Sequence, residues 1–451
     1  MSESAPRAGP RGGRFASARA VFWLLFAVNL VNYLDRLLAV ALGPTLKHQF
    51  HLSDQAIGLL SSAFLLVYTV STLPLGLLAD RAPRAKVVSV CLAFWSVLSM
   101  ATAGVRGFLG LFITRAGVGI GEAGYLPAGM ALLSAYFPLE RRARAIGRWG
   151  AGQIVGAALA FVLGGAFLHW FGTSAGWRLA FLVAGAPGLA LAALVWRIRE
   201  HPVAASAPPT APAGTALARM DWRHPIRAWL PPLLARARQA LGIRTVRYAV
   251  ALQALVYIAV TPTVTFLPIY LRSRHAPFHV TDAQASLLAG LPLLLGGVAG
   301  TLLGGPLADW VSRRVRGGRL LAIGVGFALS VPGYVTILLT RSLPVFIVVG
   351  TLTVLALNLQ VGPLGAVLQD ATPPHARASV VAFALLLAHL LGDSWSPAAV
   401  GAISTHFGER TAMGLLTVGV PTLLLAVVVA VIGRRAYALD VERGGREGAG
   451  D

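Results

Sequence analysis

Six ionisable side chains stand where the surrounding sequence is almost wholly apolar: Asp35, Arg36, Arg115, Glu122, His389 and Asp393. Asp35 and Arg36 are neighbours in NYLDR, inside VFWLLFAVNLVNYLDRLLAVAL. Arg115 and Glu122 lie seven apart in RAGVGIGEAGYLPAG, and His389 and Asp393 four apart in HLLGDSWSPAAVGAIS. A charge in hydrocarbon costs about 2.5–3.5 kcal/mol on insertion scales, so such groups are functional candidates. An arginine there suits an anionic group. A buried carboxylate or a histidine suits a proton.

The greasy setting is general. The chain has 451 residues, 56% hydrophobic and 12% charged, against about 25% charged in a soluble domain. Apolar runs of helical-span length recur from end to end, and the ten-residue alternation of a β-barrel is absent. The expected class is an all-α membrane protein with spans near 20–42, 56–79, 87–105, 108–137, 144–170, 178–196, 245–271, 283–309, 319–340, 343–369, 377–405 and 411–433. These divide into a tail (1–19), a six-helix bundle (20–196), a Pro-, Ala- and Arg-rich linker (197–244), a second bundle (245–433) and a tail (434–451). Residues 221–241 of the linker read either as a basic segment lying on the membrane or as solvated chain.

The net charge of +21 comes in short basic clusters between spans, which points to membrane orientation and away from nucleic acid. Of the 38 Lys and Arg, 29 fall on the side of both termini and 7 on the other. The positive-inside rule then puts both termini in the cytoplasm. Cys91 is alone and apolar in setting, a buried thiol. There is no phosphate-binding GxxxxGK[ST] loop, no Cys/His cluster with metal spacing and no sign of a cofactor. The GxGxxG match at Gly119, Gly121 and Gly124 lies inside a span with no preceding soluble strand, so it does not read as a nucleotide site.

Helix geometry places the charges. Arg115 and Glu122 share a face of span 4, roughly 10 Å apart along its axis. Asn29, Asn32, Tyr33 and Arg36 form one stripe of span 1, expected to face a central cavity. Asp35 is turned roughly 100° from Arg36 and points sideways. The glycines around Glu122 leave room either for a ligand or for close packing. His389 and Asp393 share a face of span 11, before Pro397. They read either as a proton-carrying pair or as a packing contact. Gln153, Gln253, Asn358 and Gln360 read as interhelical hydrogen bonds.

A repeat links the two halves. GLLADRAPRAK (76–86) after span 2 matches GPLADWVSRRVRGGR (305–319) after span 8: each has Gly, then Asp four residues later, then basic residues. PLERRARA and PPHARA follow spans 4 and 10. Two parallel halves about an axis along the membrane normal are a secondary-transporter arrangement. Gly76 and Gly305 would admit a neighbouring helix closely. Asp80, Arg81 and Asp309 would then lock the cytoplasmic side, or the basic residues serve topology alone.

Twelve spans, the long central loop and the paired GxLaDR-type loops resemble the major facilitator superfamily over the whole chain. NYLDR, RAGVGIGEAGYLPAG and HLLGDSWSPAAVGAIS resemble its Spinster-like branch. The resemblance implies a proton-linked or facilitative carrier of lysophospholipids, sphingolipids and related amphiphiles; the chain is expected to be a monomer in a bacterial-type plasma membrane. Spans 1 and 4 would pack together, making an Asp35–Arg115 pair feasible. That pair is then either a proton switch or a static ion pair. Asp35 and Glu122 would take protons, and Arg36, Arg115, Asn32, Tyr33 and Glu122 would bind substrate, with His389 and Asp393 as a second-half site. A carrier of small organic anions or drugs is the alternative. A lipid-modifying enzyme lacks a discernible catalytic set.

Overall fold

The computed structural model describes residues 17–198, 238, 240–273, 275–372 and 377–447. The tail at 1–16, most of the linker including 221–237, and 373–376 of PPHARA lie outside the described residues, as do the side chains of Asp80 and Arg81.

Every described element is a helix. The first half contains α1 (Ala18–Ala41), the short α2 (Gly43–Gln49), α3 (Asp54–Arg81), α4 (Arg84–Thr102), α5 (Phe108–Tyr136) and α6 (Leu139–Trp196). The second half contains α7 (Arg244–Arg272), α8 (Asp282–Ser312), α9 (Gly318–Leu339), α10 (Leu343–Asn358), α11 (Val361–Asp370), α12 (Arg377–Leu391), α13 (Ser396–His406) and α14 (Thr411–Glu447). Ten segments are long and apolar enough to cross a membrane. One of them lies in α6, a 58-residue helix that breaks at Gly172 (φ 71°) and so makes two crossings. Only glycine adopts that backbone without strain. The charge-bearing α5 completes twelve. Spans 10 and 11 are each two helices, α10–α11 and α12–α13.

Local chemistry sets the helix starts. Ser17 and Ser53 cap α1 and α3 through their hydroxyls, and Thr281 with Gln284 forms a reciprocal box at α8; each satisfies backbone N–H groups that have no partner within the helix. The last helix runs past the expected end of span 12 at 433. Asp440 accepts from the Thr245 amide and hydroxyl at 3.0 and 2.7 Å, and the Tyr437 hydroxyl donates to Asp370 at 2.7 Å, which anchors the extension.

Small residues decide how close the helices come. A Cβ at Gly119 would stand 2.7 Å from the Phe64 carbonyl of α3, and one at Gly121 2.7 Å from Trp95 Cβ of α4. The glycines of GVGIGEAG are therefore packing contacts that fix the rotation of α5, and this settles which of their two readings applies. A Cβ at Gly152 would likewise stand 3.0 Å from the Phe26 carbonyl, so α6 crosses α1 at backbone contact.

The bonds that join the halves cluster on the face away from the termini. Asp54 is fully buried. Its carboxylate accepts from Lys47, Ser404 and Thr411. Lys47 also donates to Glu409 at 2.7 Å, and Glu409 accepts from the Asp54 amide at 3.0 Å. Beside this cluster, Thr45 donates to Asp282 at 2.7 Å, and Asp282 also accepts from Arg272 at 2.7 Å. Gly58 and Gly401 meet the facing backbones of α13 and α3. Partial burial alone raises a carboxyl. The Lys47 hydrogen bond, the Asp54 amide and the Lys47 charge outweigh it and hold Glu409 below the usual carboxylate range. A carboxyl held low stabilises the closed face above its ordinary range, and that contribution is lost as pH falls through the lowered value. A cysteine at Ser61, on the cavity wall beneath this latch, is therefore expected to label from that face at a constant slow rate down to the ordinary carboxylate range. Labelling should accelerate only below it.

Candidate functional site

A cavity of about 490 Å³ lies between the halves, lined by α1, α3, α5 and α6 on one side and α7, α12 and the segment after it on the other. Arg36 enters it from α1. Its Nε and a terminal nitrogen donate to one oxygen of Glu122 at 2.9 and 2.8 Å. The guanidinium carbon stands 5.1, 5.3 and 4.6 Å from the ring centres of Tyr33, Phe64 and Tyr68. Three π faces and one carboxylate thus hold a cation at the cavity wall. Glu122 itself is 1% exposed and absent from the cavity lining.

Glu122 thus pairs with Arg36, across helices. Arg115 does line the cavity, but its terminal nitrogens lie 3.5 Å from the backbone carbonyl of Asp35 and 3.4 Å from Thr102 Oγ1. Both carboxylate oxygens of Asp35 are buried and without a hydrogen-bond partner. The Asp35–Arg115 side-chain pair is thus not formed here. Asp35 does point sideways, away from the cavity, as its 100° offset from Arg36 requires.

The polar stripe of α1 is only partly at the cavity. Tyr33 and Arg36 line it. Asn29 donates to the Trp149 carbonyl of α6 at 2.9 Å and is a packing contact. Asn32 is buried at 3% exposure and is not in the lining. The tight α1–α6 crossing turns Asn29 toward α6, while Asn32 lies beside Glu122 of α5, behind the cavity wall.

The second half contributes His389 and Asp393, joined at 2.9 Å, both in the lining. His389 stacks on Tyr257, with centroids 4.4 Å apart, and meets Tyr68 edge-on at 6.4 Å. Tyr68 therefore touches both the Arg36 and the His389 sites. The residues after Leu391 leave the helix before Pro397, and Gly392 fits against the Ala254 carbonyl and Tyr257.

A second cavity, of about 270 Å³, branches off between α6 and α8. It shares Tyr33, Leu37, Val260 and Val264 with the first. Its remaining walls are mostly aliphatic, with Gln153, Thr301 and Asn358; Asn358 bonds its own helix at Val354.

The expected gate residues are dispersed in this conformer. A Cβ at Gly76 would be 3.8 Å from Pro127, an ordinary contact, and one at Gly305 meets nothing within 4 Å. Neither glycine is in close helix contact, because the halves are joined at the other face. Asp309 accepts from Arg319 at 3.1 Å, and Arg319 also binds Asp370, so this repeat element ties α8, α9 and α11 within one half. The sequence reading missed Phe64, Tyr68 and Tyr257, single aromatics amid aliphatic spans, and the Lys47–Asp54–Glu409 latch. The available signal for the latch was an acid and a base flanking one short loop.

The comparisons with known proteins agree with this architecture. The chain is 31% identical to an MFS-type efflux pump of Mycolicibacterium smegmatis, over 97% of this chain and 95% of that one. It is 30% identical to a probable L-galactonate transporter of Escherichia coli, over 65% and 62%. A crystal structure of a bacterial homologue of the human lysosomal transporter Spinster, inward-facing and unoccupied, superposes with a TM-score of 0.75 at 25% identity, covering 95% of this chain and 98% of that one. The Spinster-like resemblance thus extends to the structure. The family model for the Major Facilitator Superfamily matches residues 24–397, and with its two six-span halves around a shared cavity the chain belongs to that superfamily.

Proposed function

We propose that the chain is a proton-coupled secondary carrier that moves an amphiphile with an anionic head, of the lysophospholipid or sphingoid class, by alternating access. The observation that carries this reading is Arg36, caged by aromatics at the wall of a large and mostly apolar cavity. The cation suits a phosphate or carboxylate head. The aliphatic branch between α6 and α8 suits a tail. Charge distribution supports cytoplasmic termini in a plasma membrane of bacterial type. With the halves latched on the far face, this conformer then opens inward.

Coupling follows from competition for Arg36. An anionic head that takes the guanidinium displaces Glu122, and an unpaired carboxylate at that depth is costly. Displacement therefore draws a proton onto Glu122, and substrate and proton bind with mutual reinforcement. Asp35 is the second proton site. His389 and Asp393 face the same cavity from the other half and complete the site.

The efflux and sugar-acid relatives favour a second reading, a carrier of small organic anions, which Arg36 serves equally. A polyhydroxylated acid needs a partner for each hydroxyl. Beyond the charged groups and tyrosines, this lining offers Ser61, Thr261 and Thr265. Thermal denaturation of the purified protein in nanodiscs separates the two readings. A lysophosphatidate should raise the midpoint, more at pH 5.5 than at pH 8, and L-galactonate should leave it unchanged. Stabilisation by galactonate alone would establish the second reading.

A further inference from the structure

Behind the cavity, α4 presents a polar stripe: Trp95, Ser99 and Thr102, at i, i+4 and i+7, all fully buried. The stripe lies in reach of the Asp35 carboxylate through Ser99 and Trp95, and Thr102 takes a contact from Arg115. Four atoms here are without a hydrogen-bond partner: both Asp35 oxygens, the Trp95 indole nitrogen and the Ser99 hydroxyl. Two acceptors thus lie beside two donors, close enough to interact but without full hydrogen-bond geometry in this conformer. Buried groups of this kind are nearly always paired in a stable state.

The indole is not free to turn away. Its Cβ is seated against Gly121 of α5, and its ring meets Tyr125 edge-on at 5.7 Å. The serine hydroxyl rotates freely. A small shift of α4 relative to α1 therefore closes two hydrogen bonds onto one carboxylate. Two other charged groups act on Asp35, Arg115 and Glu122, both from α5.

The geometry points to Trp95 and Ser99 as positioning residues for Asp35, donors that hold its ionised form in one state of the carrier and so set the pH at which transport switches. This inference rests on the proton-coupled reading above. It places the second proton site outside the substrate cavity, between α1, α4 and α5, where a proton can bind without touching substrate. It also gives the Ser99 hydroxyl and the Trp95 indole nitrogen a task that packing alone does not require.

The test is the pH profile of lysophosphatidate transport in proteoliposomes for Ser99→Ala, Trp95→Phe, Ser99→Thr and Asp35→Asn. Removing a donor from the ionised carboxylate favours its protonated form. Ser99→Ala and Trp95→Phe should each move the midpoint of the profile to higher pH by about one unit, a tenfold change in proton affinity. Ser99→Thr keeps the hydroxyl and should restore the wild-type midpoint. Asp35→Asn should flatten this limb of the profile, and adding Ser99→Ala to it should change nothing further. If Ser99→Ala and Trp95→Phe fold with the wild-type midpoint while Asp35→Asn flattens the profile, the stripe is packing and this inference fails, though the coupled reading stands. If Trp95→Phe does not fold, Ser99→Ala alone decides. An unaltered profile in Asp35→Asn overturns both.

Discussion

Arg36→Ala is expected to abolish transport and to cost about 3–5 kcal/mol of stability, because it leaves a buried carboxylate unpaired. Glu122 is 1% exposed, and one of its oxygens accepts both bonds from Arg36. Its other oxygen has no hydrogen-bond partner, and the remaining groups that act on it, Arg115 and Asn32, are weaker influences than Arg36. Arg36→Lys should recover part of the stability and little transport: a lysine keeps the charge but neither the fork of donors nor the planar face that stacks among Tyr33, Phe64 and Tyr68. Arg36→Met combined with Glu122→Leu removes both charges and should return stability to near the wild type, since apolar replacement of a buried pair is often neutral. Transport should remain absent. Thermal denaturation and flux on the same preparations read out the two effects separately. Wild-type flux in Arg36→Ala would remove this residue from the site.

Asp54→Ala is expected to open the face away from the termini. The carboxylate accepts three hydrogen bonds, two of them from the opposite half. When the face opens, water replaces those partners, so the loss falls on the closed state alone. A cost of about 3–5 kcal/mol confined to one state shifts the equilibrium between states by about a hundredfold or more. A cysteine at Ser61 should then label rapidly from that face, and transport should fall because the carrier rests in one state. Substrate affinity should change far less, since Asp54 is not in the cavity lining. An unchanged labelling rate in Asp54→Ala would show that the cluster does not hold the face shut.

What the sequence disclosed depended on the range of the interaction. Twelve spans were legible because each is a local apolar run. The divergence of Asp35 from Arg36 was legible because neighbouring residues on any helix differ by about 100°. The partners of those charges were not. Depth along one helix says nothing of how a second helix is rotated against it, and that rotation is set by Gly119 against α3 and Gly121 against α4. Arg36 therefore meets Glu122, 86 residues away, where the packing of spans 1 and 4 made Arg115 a feasible partner for Asp35. The same limit hid the latch, whose Asp54 and Glu409 are 355 positions apart. It also hid the aromatic cage, since a lone tyrosine in a span looks like any other core residue until the halves are set together.

In the proposed function, one anionic amphiphile and protons move together through the Arg36 cavity. The most direct test is lysophosphatidate flux into proteoliposomes under an imposed pH gradient, for the wild type, Asp35→Asn and Arg115→Ala. Wild-type flux should follow the gradient and collapse when an ionophore removes it. Asp35→Asn should bind substrate and carry it with the Asp35 limb of the pH profile flattened. Arg115→Ala should lose binding and pH response together, since it removes a cation from the cavity wall. Wild-type flux indifferent to the gradient, or Asp35→Asn with an unaltered pH profile, would contradict this coupled movement.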